Sequence, residues 1–230
     1  MAVAYLAFDI KNMKNVLFLL IFLAVGAKAQ YEILPFGDVK RTPIREMKFT
    51  DVTGSPYLYD FWSKGKVVLK NGKKYQNDSL KYNVLEDKLI FKNDDGALMY
   101  FAEPVTAFEF SGKELNPLRF INGLPAISGL TPDSYFQVIA EGKINLYKKI
   151  RKEINESKQY GSAVTNKSIS TISNYYSYKE GTLAKITPNK KTISALFGIT
   201  EDQLTDYTGK EKVDFKKDQD LYTLFKYLNH

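Results

Sequence analysis

The side chains available for catalysis in this 230-residue sequence are restricted. It contains no cysteine, and its one histidine is the last residue, His230. Serine and cysteine hydrolases commonly take their base from histidine, and zinc or copper sites take their ligands from histidine and cysteine. These sites are therefore not expected, and the composition favours a protein that is not an enzyme. The chemistry that remains belongs to carboxylates, lysines, serines and tyrosines, as in glycosidases.

Two short motifs resemble chemical sites. Ser63 and Lys66 match the Ser-x-x-Lys pattern of serine acyltransferases, but Ser63 precedes a predicted strand rather than opening a helix, and the Ser-Asp-Asn and Lys-Thr-Gly motifs are absent. Residues 93–96, Asn-Asp-Asp-Gly, resemble part of a calcium loop without its terminal glutamate. We interpret the first as chance and the second as a turn, so no metal or cofactor is predicted.

A basic run could form a binding face. It contains Lys143, Lys148, Lys149, Arg151 and Lys152, interleaved with Ile144, Leu146, Tyr147 and Ile150. On a strand, Tyr147, Lys149 and Arg151 share the face opposite Leu146 and Ile150. Such a face could bind a sulfated or phosphorylated polymer, but a solvated outer face is the favoured interpretation.

Aromatic residues concentrate in two places. One is the segment 174–178, Asn-Tyr-Tyr-Ser-Tyr, and the other contains Tyr57, Tyr59, Phe61 and Trp62. Aromatic rings stack on sugars, but tyrosine is also a favoured strand residue, and packing is the favoured interpretation of both. No residue is therefore assigned a catalytic, cofactor-binding or metal-binding role.

The elements that would position these residues are mainly short strands. Residues 57–186 show alternating apolar runs separated by turn residues, beginning with a meander of about five strands up to Phe110. Asn71-Gly72 predicts a type I′ hairpin turn, with further hairpins at Glu141-Gly142 and Glu180-Gly181. Residues 111–134 are expected to form a long loop packed on the sheet, and residues 155–173 a mobile polar loop.

Helical signals appear only in residues 187–230. Thr187 is the expected N-cap of a first helix that Gly198 ends. Thr200 and Gln203 predict a capping box for a second helix, which Gly209 ends. A third begins at Asp218 or Asp220 and buries Leu221, Leu224, Phe225 and Leu228. The predicted fold class is α+β, a mostly antiparallel sheet with short C-terminal helices packed on the same domain.

The N-terminal residues have the features of a secretory signal peptide. Lys14 precedes an apolar run of about ten residues, and Ala27 and Ala29 precede a cleavage site before Gln30. We predict a signal peptide at residues 1–29, with Met13 as the true start, and an extended lead-in at residues 30–56. The apolar run is shorter than a membrane-spanning helix, so no transmembrane span is expected in the mature chain. The expected location is periplasmic or secreted.

Several segments resemble uncharacterised exported β-rich proteins of Bacteroidota, a domain of unknown function. They are residues 65–72, 80–83 with 89–91, 220–221 with 227–229, and the cleavage site. The resemblance implies a place in the cell envelope but no activity, cofactor or catalytic residue.

Export and a modest net charge of +7 argue against nucleic acid as a partner. We expect a non-enzymatic binding module for an envelope component, either a protein or an anionic or neutral glycan. A carboxylate-dependent glycan hydrolase is the alternative function. The sequence leaves open whether the protein forms a homo-oligomer.

Export predicts a defined mature N-terminus. When the full chain is expressed in a bacterial host, we expect the protein in the envelope fraction to begin at Gln30, because Ala27 and Ala29 suit the signal peptidase. N-terminal sequencing of that fraction checks this. Replacing Ala27 and Ala29 with Leu should block processing, and a protein that keeps its N-terminal residues in both versions would contradict the prediction.

Overall fold

The computed structural model describes residues 33–34, 39–44, 51–112, 115–158 and 165–230, and the predicted signal peptide at 1–29 lies outside this set. Residues 33 to 230 form one compact unit. The mostly antiparallel sheet and the three short C-terminal helices confirm the predicted α+β class. Within the described residues, none of the helices combines the length and apolar character needed to cross a bilayer.

Thirteen strands form the sheet among the described residues. They are β1 (Ile33–Leu34), β2 (Arg41–Pro43), β3 (Val52–Thr53), β4 (Ser63–Leu69), β5 (Lys74–Asn83), β6 (Lys88–Lys92), β7 (Leu98–Phe101), β8 (Val105–Gly112), β9 (Leu115–Ile121), β10 (Phe136–Ala140), β11 (Asn145–Lys158), β12 (Thr165–Lys179) and β13 (Thr182–Ile186). Their order is β13-β12-β11-β10-β9-β8-β4-β5-β6-β7-β2. The short strands β1 and β3 pair in parallel with β5 and β12.

The β4–β5 hairpin was predicted correctly, but its turn type was not. Gly72 has φ 83°, whereas Asn71 does not have the positive φ that a type I′ turn requires. The Gly72 N–H donates to the Leu69 carbonyl at 2.9 Å, giving a three-residue loop that ends in a glycine. Asn71 is held by Glu103, whose carboxylate accepts from the Asn71 side-chain amide at 2.6 Å. This tertiary contact is invisible in the local sequence.

The expected loop at residues 111–134 contains a strand, so that prediction was partly wrong. β9 includes Pro117, which lacks the N–H needed for a two-sided ladder. Pro117 is tolerated because β10 pairs only with Phe120 and Ile121, and the earlier part of β9 pairs with β8 alone. The remaining loop does cover the sheet, since Leu124 and Leu130 pack in a buried cluster.

The predicted mobile loop at residues 155–173 was also wrong. β11 and β12 pair without interruption from Asn145 opposite Tyr178 to Lys158 opposite Thr165. Beyond Glu153 the β11 side chains are exposed on both faces of this two-stranded ribbon, so the sequence shows no apolar alternation. Backbone hydrogen bonds between the strands nevertheless satisfy the main chain.

Three helices follow the sheet: α1 (Lys190–Phe197), α2 (Glu201–Lys210) and α3 (Asp218–Leu228). The capping box of Thr200 with Gln203 is confirmed, as is the left-handed C-cap at Gly198. Thr187 is not the first N-cap. Asn189 takes that position because its side chain accepts from the Thr192 N–H at 2.9 Å. Gly209 does not end α2 but lies inside its last turn.

The buried side chains form three clusters. The first is formed mainly by residues of β4 to β9, where Tyr82 contacts Phe108 and Phe120 with ring centroids 5.2 and 5.3 Å apart. The second lies between the helices and β10–β11, and the third between the loop after β9 and the opposite face of β10–β12. β11 is therefore covered on both faces along its first half.

The C-terminal helix is fixed to the sheet at both ends. At its start, Asp218 accepts from Lys148 Nζ at 2.8 Å and from the Tyr175 hydroxyl at 2.6 Å. Just beyond its end, the Asn229 amide accepts from the Ile144 N–H and donates to the Ile144 carbonyl, each at 3.0 Å. These contacts place α3 across β10 and β11.

Two glycines give a matched test of the close packing of β4. A Cβ at Gly65 would lie 2.2 Å from the Glu109 carbonyl oxygen on β8, whereas a Cβ at Gly209 would meet nothing within 4 Å. We expect Gly65→Ala to lower the free energy of unfolding by about 3 kcal/mol through overpacking. Gly209→Ala should raise it by about 0.5–1 kcal/mol through helix propensity. Urea denaturation measures both, and equal effects would contradict the register of β4 with β8.

Candidate functional site

A strained turn places a carboxylate inside the protein. Asp87 precedes β6 and has φ 57°, a left-handed conformation that aspartate tolerates better than most residues. The Asn83 side chain closes this turn by accepting from the Glu86 N–H at 3.1 Å. The Asp87 carboxylate accepts from the Tyr82 hydroxyl and, at 3.3 Å, from the Tyr135 N–H.

The partner of this carboxylate is a buried lysine on β11. Lys149 Nζ donates to Asp87 Oδ2 at 2.5 Å and to the Tyr135 carbonyl at 2.9 Å, and its side chain is only 3% exposed. The predicted solvated outer face is therefore wrong at Lys149 and at Tyr147, which is also buried. The physical reason is that the loop after β9 covers this face of β11.

Burial shifts the protonation equilibria of this network. Desolvation lowers the Lys149 pKa, and the neighbouring Asp87 carboxylate opposes that shift. The Tyr82 pKa is raised well above its usual value by burial and then by the charge of Asp87. Because Lys149 Nζ is held by two acceptors and lies 5.9 Å from the centre of the Phe136 ring, the ammonium is fixed in place. The arrangement suits a structural ion pair rather than a nucleophile.

Two cavities lie on either side of Asp87. The larger, about 360 Å³, is lined by Tyr100, Glu103, Tyr135 and residues of β2, β6 and β7. The Tyr100 hydroxyl donates to Glu86 at 2.7 Å, and burial together with this carboxylate raises the pKa of Tyr100 to about 12. The smaller cavity, about 210 Å³, contains Arg151 and Glu153.

The carboxylates of these cavities do not form the pair that a glycosidase needs. Asp87 is bound by Lys149 and Tyr82, and Glu103 accepts from the Asn71 backbone and side chain. Among the described lining residues, Glu153 is then the one carboxylate without such a contact. Glycosidases place two working carboxyl groups across one bond, so neither cavity supplies a suitable pair.

The aromatic segment 57–62 is held on the outer face of β5 and β6. Lys81 Nζ lies 5.0 Å and Lys92 Nζ 4.8 Å from the centre of the Trp62 ring. The Asp60 carbonyl accepts from Lys81 at 2.6 Å, and Lys152 binds the carbonyls of Ser55 and Tyr57. Trp62 therefore packs on the sheet, which confirms the packing interpretation for this ring.

The same segment leaves one ring at the surface, stacked on a half-buried one. Tyr59 and Phe61 stack with centroids 5.0 Å apart and planes inclined by 16°, and Phe61 is 53% exposed. We call this pair the Tyr59–Phe61 platform. The favoured packing interpretation fits the half-buried Tyr59 but not Phe61, whose ring has a large face open to solvent. Lysine side chains bind the backbone carbonyls of Tyr57, before the platform, and of Asp60, between its two rings.

The other sequence candidates are not assembled into sites. Ser63 is buried while Lys66 is exposed on the opposite face of β4, so the two side chains point apart. The segment 93–96 is a β-turn in which the Gly96 N–H donates to the Asn93 carbonyl at 2.9 Å. Within the described ranges, no three acidic or histidine side chains group as metal ligands would.

The second tyrosine-rich segment packs as expected. Tyr176 is buried, and its ring lies 5.3 Å from that of Phe136. Tyr175 binds Asp218 of α3, and Tyr178 lies 6.4 Å from Tyr147. These rings join β12 to the helices and to the neighbouring strands.

Comparison of the chain with protein-family models, with curated proteins and with solved structures finds no match in any of the three. The resemblance to exported proteins of Bacteroidota therefore stays a prediction, and the function must be inferred from the geometry of this chain.

The buried ion pair predicts strong coupling between Asp87 and Lys149. We expect Lys149→Met to lower the free energy of unfolding by about 3–5 kcal/mol, because it leaves a largely buried carboxylate without its cation. Adding Asp87→Asn should restore part of the loss. The matched control is Lys64→Met, which breaks an exposed pair with Asp78 and should cost less than about 1 kcal/mol. Additive effects of the two buried changes in urea denaturation would contradict the pairing.

The raised pKa of Tyr82 predicts a stability loss in alkali. A tyrosine whose pKa is higher in the folded protein contributes stability that is present below about pH 10 and is lost as the pH rises further. We expect Tyr82→Phe to be less stable than the original protein at pH 7 but to lose stability less steeply above pH 10. The lowered Lys149 pKa acts in the opposite direction in both proteins. Urea denaturation at several pH values measures the slopes, and Tyr227→Phe, at an exposed position on α3, serves as the control.

Proposed function

We propose that this protein is a non-enzymatic binding module that acts in the cell envelope after export and recognises a glycan through the Tyr59–Phe61 platform. The single observation that carries the proposal is the exposed Phe61 ring, which stacks nearly parallel on the half-buried Tyr59 ring. An aromatic face binds the apolar face of a sugar ring through dispersion and loss of water. The predicted signal peptide supports the location.

The platform is rigid enough to bind without a large ordering cost. Lys81 holds the Asp60 carbonyl between the two rings, and Lys152 holds the Tyr57 carbonyl just before them. A backbone fixed at these points loses little conformational entropy when a ligand covers the rings. The cost of ordering the platform therefore subtracts little from the binding free energy.

The positive charge around the platform favours an anionic glycan. Lys81 and Lys92 lie on the same outer face, over the Trp62 ring that follows Phe61 in the chain. Their ammonium groups are fixed by packing, but their field extends into the solvent beside the platform. Uronic acid or sulfated polymers would therefore be retained better than neutral ones, with an effect that weakens as salt increases.

Affinity electrophoresis of residues 30–230 tests the proposal. Alginate and dextran sulfate are the anionic probes, and unmodified dextran is the neutral probe. We expect retardation by an anionic probe, weakened about tenfold in Phe61→Ala, which corresponds to about 1.4 kcal/mol of binding free energy. The matched control is Tyr227→Ala, because Tyr227 is 56% exposed and stacks on Tyr207 but lies on α3.

Three results would contradict this function. They are equal retardation by Phe61→Ala and the original protein, loss of retardation in Tyr227→Ala, and no retardation by any probe. Reducing-end release from a retained polymer would instead support the alternative, a carboxylate-dependent glycan hydrolase. A new reducing end marks a broken glycosidic bond, so this assay separates binding from cleavage.

A further inference from the structure

The smaller cavity beside Asp87 has walls from three separate parts of the fold. The β5–β6 turn contributes Val84, Leu85 and Asp87, and the loop before β10 contributes Gly129, Leu130 and Ser134. β11 forms the third wall, and the enclosed volume is about 210 Å³. A space of this size can accommodate a charged group together with part of the molecule that carries it.

Arg151 is the cation in this cavity that the described part of the chain leaves unpaired. It is half-buried, and among the described residues its guanidinium has no hydrogen-bond or ion-pair partner. The other two cations of the wall are occupied, since Lys149 binds Asp87 and Lys152 binds the carbonyls of Ser55 and Tyr57. A guanidinium left unpaired in a partly enclosed space favours an external anion.

The charges facing Arg151 leave the cavity positive. Asp87 is neutralised by Lys149 at 2.5 Å. Glu153 lies on the same face of β11 but is exposed and is not within ion-pair distance of Arg151. Burial lowers the Lys149 pKa, and the positive charge of Arg151 adds to that shift.

The rim of the cavity is open and carries a hydroxyl. Ser128 and Gly129 form a tight turn with φ 42° and 78°, and a Cβ at Gly129 would meet nothing within 4 Å. The Ser134 hydroxyl oxygen accepts from the Thr131 N–H at 3.1 Å, so its own proton can be donated to a ligand. A guanidinium and a hydroxyl are thus available at one opening.

We propose that this cavity, which we call the Arg151 cavity, binds a tetrahedral oxyanion, either free or as the phosphate or sulfate group of a larger ligand. Arg151 donates two parallel N–H bonds to the oxyanion, and the Ser134 hydroxyl donates a third. The inference does not rest on the Tyr59–Phe61 platform, which is made of different residues.

Calorimetric titration of residues 30–230 with inorganic phosphate and with sulfate, at constant ionic strength set by chloride, tests the Arg151 cavity. We expect saturable binding of at least one oxyanion. Arg151→Gln should weaken it at least tenfold, and Arg151→Lys should weaken it less, since that variant keeps the charge without the planar fork. Glu153→Gln should strengthen it severalfold by removing a negative charge from the same face.

The control for general electrostatics is Arg119→Gln. Arg119 pairs with Glu141 at 2.6 Å and does not line the Arg151 cavity, so its replacement should leave the affinity unchanged. Absence of saturable binding to both anions would overturn the proposal, as would unchanged affinity in Arg151→Gln. If circular dichroism shows that Arg151→Gln does not fold, the other two variants still test the proposal. Oxyanion binding should be weaker in Arg151→Lys and stronger in Glu153→Gln. Loss of glycan retardation in Phe61→Ala would not affect this result.

Discussion

The contact between Asp87 and Lys149 is the constraint on which the rest of the structure depends. In the sheet order, five strands separate β6, which follows Asp87, from β11, which carries Lys149. The sheet must therefore curl until these distant strands face each other across the first core cluster. Both charges are largely removed from water, so each needs the other at close range to avoid a large desolvation cost. The pair thereby links β11 to the turn before β6.

Both surfaces with a proposed role depend on the contact between the β5–β6 turn and β11. The Arg151 cavity exists because the β5–β6 turn is brought against β11, where Lys149 satisfies Asp87 and leaves Arg151 without a partner among the described residues. Three residues after Lys149 on the same strand, Lys152 holds the segment that leads to the platform. β11 therefore lines the charged cavity and also holds the segment that leads to the platform. Catalysis is not needed to explain either arrangement.

Local chemistry explains what could be predicted of the fold. Gly72 and Gly96 mark hairpin turns because glycine adopts positive φ at little cost, and Thr200 with Gln203 satisfies the first N–H groups of α2. The predictions failed where the structure depends on contacts between residues that are distant in the chain. Pro117 suggested a loop because its edge position could not be known, and the ribbon after Glu153 lacks an apolar face because it has no covered face. Asn189 and Thr187 both have side chains that can cap a helix. Only the position at which α1 begins shows that Asn189 is the N-cap.

The sequence by itself determined the fold class, most of the hairpins, the helical C-terminus and the absence of cysteine chemistry, because periodicity, turn residues and composition are properties of neighbouring residues. Tertiary structure decided which of the five basic residues is buried, since only the loop that covers β11 makes Lys149 an interior group and leaves Arg151 at a cavity. It also decided that Trp62 packs on lysines while Phe61 faces solvent. Burial and pairing depend on residues far apart in the chain. The local sequence around a residue does not show which distant strand will pack against it.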